Sequence, residues 1–298
     1  LAATTFDLVP LGPFSLDAAG RYFGGWPELD GDIVMAFPVD GAGGSAAVVM
    51  RQQGDAITGE VHGDADPEAA WRQALAVLSL DIDGRGFADV AERDPVVGRL
   101  WREDGLLRPV LFHSAYEAAA AFIIGHRLSI AQGRRIRARM AEATGAPITI
   151  DARVFHAFPA PAVLAGIETF TGLSAAKMER LQAVAVRALE GRLDRQRLRS
   201  MPEEEALAEL RTLPGVGPFF ASGILARGAG LVDTITDDDL TPRAIELAYE
   251  LPARPDRAEV LRHAEAWRPF RMWALVLLHV WLRIQPQSVI GRVRPGRR

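Results

Sequence analysis

Three consecutive carboxylates, Asp237 to Asp239, follow the turn Pro214-Gly-Val-Gly217 by twenty residues, and these two features carry the chemistry that the chain offers. A carboxylate held away from water can stabilise a developing positive charge and orient a water molecule. The turn offers the complementary function of gripping an anion. Glu204 to Leu210 continues a helical pattern that Leu213-Pro214 ends, and Gly215 and Gly217 allow a tight turn with a closely approachable backbone. Pro218 suits a first helical position, so a second helix over 219–227 is expected to begin with unpaired N–H groups facing the loop, where a nucleic-acid phosphate would fit. An ordinary αα-hairpin uses the same turn, so the turn alone decides nothing. The acidic cluster also has a plainer use, N-capping of the segment that begins at Thr241-Pro242, and one of the three acids is expected to serve there.

Those residues need a scaffold, and the chain changes character along its length. Short β-rich runs at 33–37, 46–50 and 56–61, separated by Gly/Asp-rich turns such as Asp40-Gly-Ala-Gly-Gly44, predict an antiparallel sheet. Helical spacing over Pro67 to Leu78 predicts a helix on one sheet face. From residue 114 the pattern is almost wholly helical, with helices expected near 114–125, 129–143, 160–166, 174–190, 202–211, 218–228, 241–250, 256–266 and 268–284. Ser114-Ala-Tyr-Glu117 and Ser200-Met-Pro-Glu203 match the capping box, and Ser129 and Ser174 read as N-caps. No internal repeat is found. The fold class is therefore α+β, with an N-terminal α+β domain over 1–112, a helical domain over 113–298 and a break near Pro109 to His113.

Composition sets the outer bounds. A chain of 298 residues, 49% hydrophobic, can build two cores. The absence of cysteine excludes disulfides, thiolate nucleophiles and Cys-ligated zinc or iron–sulfur centres. The most apolar run, Met272 to Ile284, is too short to span a bilayer and contains His279 and Arg283, and the N-terminus lacks a signal pattern. Cytoplasmic residence without membrane attachment is expected, and a chain opening at Leu1 is expected to have lost a few leading residues. The net charge of −4 hides an asymmetry: residues 1–104 carry 18 acids against 7 arginines, residues 105–298 carry 27 basic residues against 20 acids. Between Glu117 and Glu142 lie Arg127, Arg134, Arg135, Arg137 and Arg139 with no acid, and Arg292 to Arg298 forms a basic end. An Arg-rich helix is often merely a solvated face, but here the cationic half also holds the hairpin.

The hairpin, the downstream Asp and Trp267-Arg-Pro-Phe-Arg-Met-Trp-Ala274 together resemble the helix-hairpin-helix DNA glycosylases, in particular the alkyladenine branch, DNA-3-methyladenine glycosylase II. Ala121-Phe-Ile-Ile-Gly-His-Arg-Leu-Ser129 is similar to that branch's Gly-Gln-containing helix end, and the resemblance extends over nearly the whole chain. It implies a TATA-binding-protein-like N-terminal domain, then a mainly helical two-lobed domain whose cleft takes a flipped-out base. Its catalytic Asp falls on Asp239 without gaps, with Asp238 as the alternative. The lysine with which strand-cleaving relatives form a Schiff base is replaced by Phe219, and Lys177, the chain's only lysine, lies in another predicted helix. Monofunctional hydrolysis is therefore expected, with Phe219 as a pocket aromatic for a cationic base. The branch's pocket tyrosine falls on Gly223, which predicts a more open pocket. A second pocket aromatic falls on His279 without a gap or on Trp281 with a two-residue shift, and His126 replaces a pocket glutamine. The wedge that fills the hole left by the base falls on Arg127 beside Leu128, and Leu213, Gly215, Val216 and Gly217 would meet DNA. By the same resemblance the carbonyls of Arg211, Leu213 and Val216 would hold a sodium or potassium ion, no other cofactor being required. The implied protein is a monomer acting on damaged double-stranded DNA in base-excision repair, in the bacterial cytoplasm at the nucleoid. An oxidised-purine glycosylase/lyase and a non-catalytic hairpin DNA-binding module are the alternatives.

Overall fold

A computed structural model describes residues 3–286 except 24, 42 and 237, and except the side chain of Phe23. The N-terminal region forms β1 (Thr4–Leu8), α1 (Leu16–Phe23), β2 (Glu28–Leu29), β3 (Asp32–Pro38), β4 (Ser45–Gln53) and β5 (Ala56–Gly63). They make one antiparallel sheet of order β1-β5-β4-β3-β2, in which Val48 pairs with both Met35 and Val61. The three strands expected from sequence form its centre. α2 (Pro67–Val77) follows, capped by the Asp66 carboxylate on the N–H of Ala69, and covers one face. Trp71 fixes this packing: a Cβ on Gly59 would stand 2.1 Å from its ring, so only glycine admits the indole at that point of β5.

The residues of β4 from Ser45 to Met50 are buried on both sides, so the second face is covered as well. Its cover comes from far along the chain, as a hairpin of β6 (Pro147–Ile150) and β7 (Arg153–His156), in a stretch that the sequence reading left between the helices expected near 129–143 and 160–166. Asp151 and Ala152 both take positive φ, 45° and 63°, and so form the two-residue turn that matches strand twist. Alternation then points Ile148, Ile150 and Phe155 at Val34, Ala47 and Val49.

The helices are α3 (Phe87–Arg93), α4 (Pro95–Glu103), α5 (Ala115–Gly125), α6 (Ile130–Thr144), α7 (Pro161–Ala165), α8 (Ala175–Leu189), α9 (Arg195–Ser200), α10 (Glu203–Leu210), α11 (Pro218–Ile224), α12 (Leu240–Ala248), α13 (Arg257–Ala264) and α14 (Arg271–Ile284). A π-helical turn, Leu225–Ala229, extends α11. Ser114 caps α5, Ser129 caps α6 in a reciprocal box with Gln132, and Ser174 caps α8. Ser200 caps nothing: Pro202 occupies the cap position of α10, Ser200 donates back to the Arg197 carbonyl, and Glu203 receives the Thr234 hydroxyl instead.

Two helical lobes result. One gathers α5, α8, α10 and α11 around Tyr116, Met140, Phe158, Leu181 and Ile224. The other packs Phe87, Trp101 and Leu111 against Ile245, Val260, Trp267, Trp273 and Leu277. Residues 87–111 lie before or within the break expected near Pro109 to His113 yet share a core with α12 and α14. Arg108, 1% exposed, fastens this region by donating to the carbonyls of Leu11, Pro13, Ser79 and Ile82 beneath the Trp273 ring. Burial pulls its pKa down to about 10, so it remains charged at neutral pH. Among the described residues no helix is long and apolar enough to cross a membrane.

Candidate active site

The hairpin forms as its residue types require. After α10, Leu213 and Val216 are 3% and 6% exposed and anchor the loop in the first lobe, while the Val216 N–H donates to the Leu213 carbonyl at 3.0 Å. Gly215 has φ +82°, a region glycine enters without strain. Pro218 opens α11 as expected, though regular α-helix ends at Ile224 and the wider π turn takes over. The Leu213 carbonyl is used by Val216, whereas those of Arg211 and Val216 accept no hydrogen bond among the described residues. Two of the three carbonyls expected to face a cation are thus left without a protein donor.

The second element is the approach to α12. Of the two described carboxylates, the structure draws Asp238 inward and leaves Asp239 exposed; Asp237 lies outside the described residues. The Asp238 side chain is 9% exposed. Its Oδ1 accepts from the N–H groups of Leu240 and Thr241, both at 2.8 Å, and its Oδ2 from the hydroxyls of Thr236 and Thr241. The capping role and the inward position thus belong to one residue. Asp239 already has helical φ/ψ of −77° and −13° and makes no capping bond.

α14 brings His279 to this carboxylate, with Nε2 3.1 Å from the Thr241 hydroxyl and 3.7 Å from Asp238 Oδ1. The single Thr241 hydroxyl proton is directed at Asp238 Oδ2, so His279 meets Thr241 as the donor, with its proton on Nε2. Burial lowers the His279 pKa, Asp238 opposes this, and Arg283 and Arg227 reinforce it. The ring is therefore neutral at pH 7. Trp281, two residues on, packs partly buried against the second lobe's core. Of these two residues, the one placed against Asp238 is His279.

Phe219 is 50% exposed at the mouth of an aromatic group. Its ring lies edge-on to Phe122 at 6.2 Å, and Phe122 also contacts Phe220 at 5.2 Å and Phe112 at 6.2 Å. His126 stands edge-on to Phe220 at 5.7 Å. Gly223 does not open the pocket as the sequence predicted. A Cβ there would come within 2.4 Å of Phe122 Cζ, so the ring of Phe122, arriving from α5, fills the space beside it. Sequence reasoning missed Phe122 because it sits on a helix distant in sequence and reads as an ordinary core position.

The loop between α5 and α6 presents Arg127 outward at φ +61°, while Leu128 turns into the first lobe. Ile130, 70% exposed, was not singled out by its sequence and stands three residues beyond Arg127. Lys177 on α8 ties the loop down, its Nζ donating to the carbonyls of Ile124 at 2.7 Å and His126 at 2.8 Å. The Arg-rich helix α6 divides: Arg134, Arg135 and Arg139 are exposed, whereas Arg137 turns toward Glu117 and lies over Phe112.

No protein-family profile matches the chain. Among curated proteins it is 30% identical over 173 residues to DNA-3-methyladenine glycosylase 2 of Escherichia coli, covering 56% of this chain and 57% of that protein. It is 23% identical over 230 residues to the DNA-3-methyladenine glycosylase of Bacillus subtilis, covering 72% and 75%. The match thus spans little more than half the length of the Escherichia coli relative. Among solved structures, a 3-methyladenine DNA-glycosylase from Archaeoglobus fulgidus superposes with a TM-score of 0.77 at 22% identity, over 94% of this chain and 98% of the other. The chain thus shares the fold of that Archaeoglobus fulgidus glycosylase and is similar in sequence, over part of its length, to DNA-3-methyladenine glycosylases.

Proposed function

We propose that this chain is a monofunctional DNA glycosylase that hydrolyses the N-glycosidic bond of alkylated purines, of the 3-methyladenine type, in double-stranded DNA. The observation that carries this reading is Asp238: a carboxylate 9% exposed, fixed by four hydrogen-bond donors, at the entry to the helix that follows the hairpin. As the base departs, its C1′–N bond electrons neutralise the cationic purine and positive charge builds on the deoxyribose. Asp238 stabilises that charge electrostatically and orients a water whose oxygen bonds to C1′, its released proton passing to solvent. Phe219 offers an exposed ring face to the cationic base. The carbonyls of Arg211, Leu213 and Val216 would hold an alkali cation, which would supply positive charge toward a DNA phosphate. A monomer in the bacterial cytoplasm suffices for this work.

The competing glycosylase/lyase reading needs a free amine. The only lysine, Lys177, spends its ammonium on two backbone carbonyls, and Phe219 occupies the hairpin position where a Schiff-base lysine would stand. In a non-catalytic module Asp238 would serve only to cap α12, so its replacement would leave no excision to lose. The test is release of 3-methyladenine from alkylated duplex, with Asp238→Asn expected to cost about 10²–10³ in rate, the scale of one lost charge-stabilising group. Duplex affinity should be retained and Asp239→Asn should have little effect. Normal excision by the Asp238→Asn protein would refute the assignment.

A further inference from the structure

Helix α8 carries a second cation next to the hairpin. Arg180 lies one turn beyond Lys177 on the same helix face. Its side chain lies on the turn itself: a Cβ on Gly215 would stand 2.7 Å from Arg180 Cδ, 2.8 Å from Nε and 3.0 Å from Cζ. Glycine at 215 is thus required twice over, by its positive φ and by the guanidinium above it. The neighbouring cations are already engaged. Lys177 holds the carbonyls of Ile124 and His126, Arg187 pairs with Glu190, and Arg192 and Arg197 pair with Glu209. Arg180 makes no hydrogen bond or ion pair among the described residues. The N–H groups of Gly215 and Gly217 donate to no protein acceptor there either. A planar five-donor fork and the amides of a tight turn therefore converge without an acceptor, a combination complementary to a phosphate diester oxygen pair.

We infer that Arg180 binds a backbone phosphate of duplex DNA together with the Gly215 to Gly217 turn, so that the hairpin grips its phosphate from side chain and main chain at once. The inference rests on the DNA-binding part of the proposed function and adds a residue from outside the hairpin. Lys177 and Arg180 then divide the work of one helix face: Lys177 braces the loop that carries Arg127, and Arg180 meets the strand.

The test is the salt dependence of binding to undamaged duplex, followed by fluorescence anisotropy, because each phosphate contact adds about 0.9 to the slope of log affinity against log salt. Arg180→Met keeps an apolar stem over Gly215 and removes the charge, so its slope should fall by about 0.9. Arg180→Lys should restore the slope, and Arg187→Gln, at a cation already paired, should leave it unchanged. A slope for Arg180→Met equal to that of the parent protein, with thermal unfolding intact, overturns the inference and leaves the glycosylase reading standing. Failure of the parent chain itself to bind duplex DNA at any salt would overturn both.

Discussion

The contact between Gly223 and Phe122 predicts an unusual reversal of sign. Alanine is ordinarily favoured over glycine inside a helix by about 1 kcal/mol, so Gly223→Ala would be expected to stabilise the protein. In this molecule the added methyl would meet Phe122 Cζ at 2.4 Å and its two Cε atoms at 3.0 and 3.1 Å. The ring has little freedom to withdraw, since Phe112, Phe219 and Phe220 stand around it with centroids at 5.2–6.2 Å. Overpacking of this kind costs about 1–3 kcal/mol against a propensity gain of about 1 kcal/mol, so Gly223→Ala should destabilise by about 1 kcal/mol. Phe122→Ala, at a half-buried position, should cost about 2 kcal/mol, below the range for a fully buried ring. In the Phe122→Ala background the clash is gone and Gly223→Ala should become stabilising by about 0.5–1 kcal/mol. The double-mutant cycle should therefore show a coupling of about 2 kcal/mol, well above the scatter between independent sites. Urea unfolding followed by circular dichroism measures all four corners. Additive effects would mean that the ring does not occupy the space beside Gly223, and the account of a filled pocket would fail. On the proposed function, Phe122→Ala should open space beside Phe219 and relax discrimination among alkylated purines, read as ratios of kcat/KM.

Two further outcomes follow from the site. The His279 pKa is depressed in the folded protein by burial, so the neutral ring contributes stability that is fully present above its ordinary value of 6.5 and is lost as pH falls below it. Thermal stability should decline on that acidic side, and His279→Asn should flatten the decline; an unchanged profile would remove His279 from the buried network. Lys177→Met should destabilise by about 1 kcal/mol, a modest figure for charged hydrogen bonds partly open to solvent, and should weaken excision through the Arg127 loop. Borohydride should trap no covalent complex with either the parent protein or Lys177→Met, and a trapped adduct in the parent alone would revive the lyase reading.

The central strands, α2 and most of the later helices were legible because each carries its period and its punctuation locally. Ser129 announces α6, and Pro218 announces α11. What escaped was determined by distant partners. β1 is a partly exposed edge strand whose Thr4-Thr-Phe-Asp-Leu8 sequence has too few apolar residues to stand out, and β6 and β7 become strands because they cover Val34, Ala47 and Val49 more than a hundred residues earlier. α3 and α4 are signalled mainly by Asp94 capping Val96 and Val97 ahead of a helix-opening proline, a short cue inside a charged stretch. At the site, the spacing identified an acidic cluster but not which member faces inward. That choice depends on where α12 begins: Asp239 already has helical backbone angles and is exposed, while Asp238 precedes it and folds back onto the first N–H groups. The exchange of an aromatic between Gly223 and Phe122 was equally hidden, since it pairs two helices a hundred residues apart.

The burial of Phe87, Trp101 and Leu111 among residues of α12 and α14 limits how such a chain can be remodelled. A crossover at position 112 would transplant the sheet together with part of the wall that supports Trp267, Trp273 and the helix bearing His279. Recombination between distant homologues at that point would leave each offspring with mismatched halves of one interior. The opening third is thus inherited together with the interior of the closing helices, and neither can be exchanged without the other.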